Sequence, residues 1–206
     1  IREVLRYANQ QEAGHRVRVQ GVLLHQQPGK ALYIRDESGC LSIAVDHIVP
    51  VNTSDLLTIS GYILPGEIAP VMNHPLVKRL SSSSSPEARL LPDGYASAGN
   101  FHGDLVRVRA KLVDNWHSWD GQRYLLQHLS GAGTTFEALL EKIPDHAGTA
   151  EIRNGSELEL TGIYQLRSKQ GQPYRFLLLL RTPEDVRILK NAPWWLFGIF
   201  IVAIAT

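Results

Sequence analysis

The sequence, 206 residues long, predicts a mainly β protein: two tandem five-stranded barrels, a short N-terminal helix before them, and the start of a C-terminal transmembrane helix after them. Three observations carry this. Apolar residues at every second position recur in short runs, the period of half-buried strands. The succession of runs ahead of the five serines Ser81 to Ser85 returns after them. The stretch from Ala192 to Thr206 contains no charged residue, and its paired Trp194 and Trp195 belong to the amphipathic type found at headgroup level.

In chain order, Ile1, Val4, Leu5 and Ala8 lie at the i, i+3, i+4, i+7 spacing of one helix face. From Arg16 the period becomes two: Val17, Val19 and Leu23 face inward, and Gly21 falls where a strongly bent strand needs a missing side chain. The turn Gln27-Pro28-Gly29-Lys30 leads to a second strand with Leu32 and Ile34 inward. Glu37-Ser38-Gly39 then turns into a third with Leu41, Ile43 and Val45. Leu56 to Ile63 is a fourth strand with Gly61 inside it. Pro65, Pro70 and Pro75 should limit Val71 to Leu80 to a short edge strand. The serine run followed by Pro86 reads as a linker.

Beyond it, Leu105 to Leu112 repeats the first strand, with Val106, Val108, Ala110 and Leu112 inward, cations outward, and Ala110 where Gly21 stood. Trp116 to Gln122 is a turn and Arg123 to His128 pairs back. Phe136, Ala138 and Leu140 alternate as a third strand, although the same residues fit a helix. Ser156 to Tyr164 repeats the glycine-marked strand, and Tyr174 to Arg181 closes the unit. Two sets of short bent strands are best closed as barrels of OB-like type, because closure removes open sheet edges; a single sandwich is the alternative. The expected division is a helix at 1–15, a first barrel at 16–80, a linker at 81–103, a second barrel at 104–190 and the start of the membrane helix at 191–206. A full crossing takes about 20 apolar residues, so the span is expected to continue past Thr206.

Composition and motifs argue against catalysis. Net charge is +1, with no basic field in the totals. The one cysteine, Cys40, excludes a disulfide framework and a Cys-rich metal site and suits a buried thiol in a strand. Eight histidines include no His-x-x-x-His pair with supporting ligands. Neither a Gly-x-Ser-x-Gly elbow nor a phosphate loop is present. No catalytic residue, metal or cofactor is therefore expected.

The stretches "HRVRVQGVLL", "ALYIRDESGCLSIAV", "LLTISGYILPGEIAPVM", "GDLVRVRAKLVD", "GSELELTGIY" and "APWW" resemble the extracytoplasmic region of bacterial membrane-bound signalling proteins, sensor histidine kinases and diguanylate cyclases. The resemblance implies a sensory region on the periplasmic side of the inner membrane, anchored through the C-terminal helix, dimeric in the full-length protein, and taking a small molecule or an envelope protein. It also implies no nucleic-acid partner. Arg181, Arg187 and Lys190 before the apolar run oppose that orientation, since positive residues favour the cytoplasmic side. The candidate ligand site is the loop between the first two strands of the second barrel, Trp116, His117, Trp119 and Asp120, with Trp194 and Trp195 at the membrane interface. The alternative function is single-stranded nucleic-acid binding, through Arg16, Arg18, Arg107, Arg109 and Lys111 with Tyr33 and Tyr124.

Overall fold

The computed structural model describes residues 1–7, 15–84, 86–92, 101–129, 135–141, 152–169 and 172–192. The chain runs α1 (Arg2–Tyr7), β1 (Arg16–Gln27), β2 (Ala31–Arg35), β3 (Cys40–Ala44), β4 (Asp55–Leu64), β5 (Val71–Ser82), β6 (Arg89–Leu90), β7 (Leu105–Ser118), β8 (Gly121–His128), β9 (Thr135–Glu141), β10 (Glu157–Lys169) and β11 (Gln172–Leu180). A short 3-10 turn (Pro183–Asp185) and β12 (Val186–Lys190) follow.

The first barrel closes in the order β1-β2-β3-β5-β4, with β4 returning to β1. The second repeats it as β7-β8-β9-β11-β10, closed by β10 on β7, with β6 and β12 added at its margins. In each, one long bent strand serves two neighbours: β1 pairs β4 through Arg16–Val22 and β2 through Val22–Gln27. Gly21 sits at that switch, where an added Cβ would lie 2.9 Å from the Arg35 carbonyl oxygen. At the corresponding switch of β7 the structure accommodates Ala110, fully buried.

Inward positions follow the alternation of the sequence. Leu32, Ile34, Ile43, Ile59 and Met72 lie in the first core, and Val106, Val108, Leu158, Leu160 and Phe176 in the second. Val17 is half-buried. Ile1, Val4 and Leu5 of the N-terminal helix region pack against the first core.

Two details differ from expectation. The strand after Gly61 is no edge: β5 pairs the length of β4 and also runs parallel to β3 at Val71 and Met72. Pro75 is tolerated because the register shifts there and His74 takes φ 48°, so the proline falls in a bulge that spares the ladder a missing N–H. Ser81 and Ser82, expected in the linker, continue β5 opposite Leu56 and Asp55. The expected start of a transmembrane helix, with Trp194 and Trp195, lies outside the described residues. Among those described, no helix is long and apolar enough to cross a membrane.

Candidate binding surfaces of the two barrels

Barrels of this type take ligands on the face of their second and third strands and on the adjoining loops. In the first barrel that face is β2 and β3, and the second barrel covers it. Leu24 and Tyr33 are buried with Leu105, Leu139, Ile163, Leu177 and Leu179, with Cys40 packed alongside. Gln165 Nε2 donates to the Tyr33 hydroxyl, and Gln27 Nε2 and Lys30 Nζ each reach Glu141 Oε1 at 2.8 Å. Arg35 approaches the buried Asp104 carboxylate at 3.4 Å, and Arg89 holds its other oxygen at 2.9 Å. Even the loop between β4 and β5 takes part, since Ile68 packs on the core of the second barrel.

The hairpin β7–β8 carries the four loop residues expected as a site. Strand pairing continues to Ser118 opposite Gly121, leaving a two-residue turn of Trp119 and Asp120. Trp119 is 90% exposed and Trp116 39% exposed, and His117 is also exposed. Asp120 is a brace, not a free acid. It accepts from the Ser118 hydroxyl and from Arg123, whose other Nη donates to Glu137 at 2.9 Å. The Arg123 hydrogen bond, opposed in part by burial, holds the Asp120 carboxyl below the usual carboxylate range. Lower down, Asn115 Nδ2 donates to the Ile152 carbonyl and to Asn154 Oδ1, both at 3.1 Å, tying the hairpin to the segment ahead of β10. The structure thus brings Trp116, Trp119 and His117 to one stiff, exposed tip.

The strand-face cations separate into two groups. Arg16 and Arg18 project outward from β1. Arg16 stacks over the Tyr62 ring at 5.8 Å, and Arg18 Nε donates to Ser60 Oγ at 3.4 Å. Their row continues across β4 onto β5, where Thr58 is opposite Lys78 and Ser60 opposite Leu76. Among the described residues no carboxylate pairs with Arg16, Arg18 or Lys78. On the second barrel Arg109 is tied to Glu159 at 3.0 Å, and Lys190 from β12 approaches Glu157 at 3.5 Å. Tyr33 and Tyr124, expected as aromatic platforms, are 3% and 1% exposed and so present no ring to a ligand. Tyr62 and Lys78 escaped the sequence reading. The available signal was their place at outward positions of strands whose inward positions, Ile59, Ile63 and Val77, were apolar.

Cys40 lies in β3, half-buried, and burial raises its thiol pKa strongly. Among the described residues no group of three or more His, Cys, Asp or Glu could hold a metal ion.

No protein-family model and no curated protein matches this chain. Solved structures similar to it include a murine DNA-binding protein bound with double-stranded DNA, at 13% identity and TM-score 0.39 over 86% of this chain and 100% of that one. Another is p202 HIN1 in complex with a 12-mer double-stranded DNA, at 12% identity and TM-score 0.42 over 88% and 96%. An aspartyl-tRNA synthetase from Entamoeba histolytica has 16% identity and TM-score 0.33 over 52% of this chain, which spans a quarter of that protein. At these scores the likenesses assign no family. Two of the three are nonetheless complexes with DNA, and the expected absence of a nucleic-acid partner is corrected here. That expectation followed from the implied membrane placement, whose residues lie outside the described ones, and from the near-zero net charge.

Proposed function

We propose that this chain is a non-catalytic binding module of two OB-like barrels, and that it takes single-stranded nucleic acid on the outer face of β1, β4 and β5. The observation that carries this is the cation row Arg16, Arg18 and Lys78, interleaved with Ser60, Thr58 and the Tyr62 ring and left without a carboxylate among the described residues. Each part has a use. Unpaired guanidinium and ammonium groups neutralise phosphates, hydroxyls add neutral hydrogen bonds to the backbone, and an exposed ring offers a base a stacking surface. A cation already held by a surface carboxylate, as Arg109 is, must break that contact first.

The experiment is fluorescence anisotropy with a labelled oligonucleotide across a salt series. Affinity should fall as salt rises, with a slope of about 0.7 per phosphate neutralised on a single strand. Arg18→Ala should weaken binding and lower the slope by about one contact, the triple Arg16→Ala/Arg18→Ala/Lys78→Ala should abolish most binding, and Arg109→Ala should change little. No binding at low salt, or a triple variant that binds like the parent, overturns the proposal.

A second reading, the sensory region of a membrane-anchored signalling protein, draws its support from the uncharged run after Ala192. Under it the barrels lie on the periplasmic side of the inner membrane. Cell fractionation of the full chain against one ending at Lys190 tests it: equal recovery of both in the soluble fraction rejects the anchor.

A further inference from the structure

A half-buried histidine lies at the contact between the barrels. His25, from the end of β1 opposite Tyr33, faces the second barrel with its ring stacked on Tyr33, at a centroid distance of 6.3 Å and 11° between planes. Its Nε2 is buried and has no hydrogen-bond partner in the structure. The titratable groups that face it come from β9, the segment after β11, and β2. Glu141 ends β9, and Arg181 and Asp185 follow β11. Tyr33 comes from β2 and is kept neutral by burial, which pushes its pKa up to about 12. Both acids are already engaged: Glu141 accepts from Gln27 and Lys30, and Asp185 holds Arg181 at 2.8 Å. A proton added to His25 would therefore place a cation in a partly desolvated contact with no unengaged acid beside it, an unfavourable arrangement.

We propose that the inter-barrel contact is an acid-released latch: protonation of His25 weakens the docking of the second barrel on the first and uncovers the face formed by β2 and β3. This does not depend on the nucleic-acid reading, which concerns the opposite, β1–β4–β5 face. The direction is set by linkage. Burial, the largest influence, lowers the His25 pKa from the ordinary 6.5 to about 4, against a smaller upward pull from Glu141. A group that binds its proton less tightly when docked favours docking fully above pH 6.5. That contribution declines as pH falls towards about 4 and levels off below it. The distance between the two values caps the change in the docking equilibrium at about 300-fold.

Cys40, the chain's one cysteine, is a built-in probe, since it packs in this contact with its Cβ beside Gly103. The full chain would be labelled with 4,4′-dithiodipyridine, which reacts in acid, and the rate at each pH divided by that of the denatured chain. Protection of Cys40 should fall steeply between pH 6.5 and 4 while far-UV circular dichroism stays constant, and His25→Gln should remove the fall. Constant protection in the parent, an identical fall in His25→Gln, or loss of strand signal together with protection overturns the latch. Should His25→Gln not fold, NMR titration of the parent's His25 ring decides instead: a pKa above 6 rejects the proposal and one near 4 supports it.

Discussion

The two barrels align strand for strand at Gly61 and Gly162, and their outward residues part company at two of three matched pairs. Beside Gly61 the first barrel has Tyr62 opposite Arg16; beside Gly162 the second has Ile163 opposite Leu105. The first pair is a cation over an exposed ring, while the second is buried against the other barrel. The next outward pair is alike in both, Ser60 opposite Arg18 and Thr161 opposite Arg107, but two pairs back Thr58 opposite Gln20 matches Glu159 opposite Arg109. The same ladder thus makes an open, polar, cationic face in one copy and a sticky, self-neutralised one in the other. Fold alone therefore says little about what each barrel binds. The difference lies in the outward half of each strand, where the core imposes nothing.

The cores differ too. The second is built on an aromatic stack in which Phe176 lies between Phe136 and Tyr164, at centroid distances of 4.4 and 4.8 Å. The first is aliphatic apart from Met72. Phe176→Ala should cost about 4 kcal/mol, against about 1 kcal/mol for Ile43→Val in the first barrel. Urea unfolding followed by tryptophan fluorescence reads the former directly, because no tryptophan precedes Trp116. A loss below 1 kcal/mol for Phe176→Ala would mean that the stack is not what holds the second barrel.

How far this was legible in the sequence depends on which side of a strand a residue takes. Inward positions such as Leu32, Ile34, Val108 and Leu160 announce themselves by alternation, because a core selects apolar groups of one period. Gly21, Gly61 and Gly162 were legible for the same reason: each marks a backbone approach that a side chain would block. The fifth strand was misjudged because composition alone cannot show that His74 takes φ 48° and carries Pro75 past the ladder in a bulge. Outward positions were harder still. Tyr33 and Tyr62 both read as aromatic residues in strands, and only the docking of one barrel on the other buries the first and leaves the second exposed. His25 gave no signal, since its surroundings come from Glu141, Arg181 and Asp185, more than a hundred residues away.

The glycines sharpen the comparison at a smaller scale. A Cβ on Gly162 would lie 2.5 Å from the Leu179 carbonyl oxygen; on Gly61 it would lie 2.8 Å from that of Asn73 and 2.7 Å from the Met72 side chain. Leu179 is backed by the first barrel and cannot retreat, whereas Asn73 adjoins the bulge at His74 and can. Gly162→Ala should therefore cost about 3 kcal/mol and Gly61→Ala about 1.5 kcal/mol, measured by urea midpoints at a constant slope. Equal losses would remove the claim that docking stiffens the second barrel at β11.

The smallest effect is expected at the hairpin tip, where the first barrel has only the turn Pro28-Gly29-Lys30 and the second has Trp119. Two tryptophans in a short turn could fold back as a lid over the core, and truncating such a lid would cost roughly 3–5 kcal/mol. The geometry excludes this for Trp119. At 90% exposure the ring covers little, and the hairpin is held beneath it by Asp120, Ser118, Arg123 and Glu137 without its help. Trp119→Ala should accordingly leave stability within about 0.5 kcal/mol of the parent, as surface substitutions do. Asp120→Ala should lower it by about 1–2 kcal/mol, because Arg123 loses a partner on a partly buried face. The sign of the pH effect follows from the depressed Asp120 carboxyl: its contribution is present above the ordinary value of 3.8 and lost as pH falls through the lower folded value. Thermal unfolding of both variants at neutral pH checks the pair. A drop of several kcal/mol for Trp119→Ala would return that ring to the core and leave the hairpin with no exposed anchor to offer a partner.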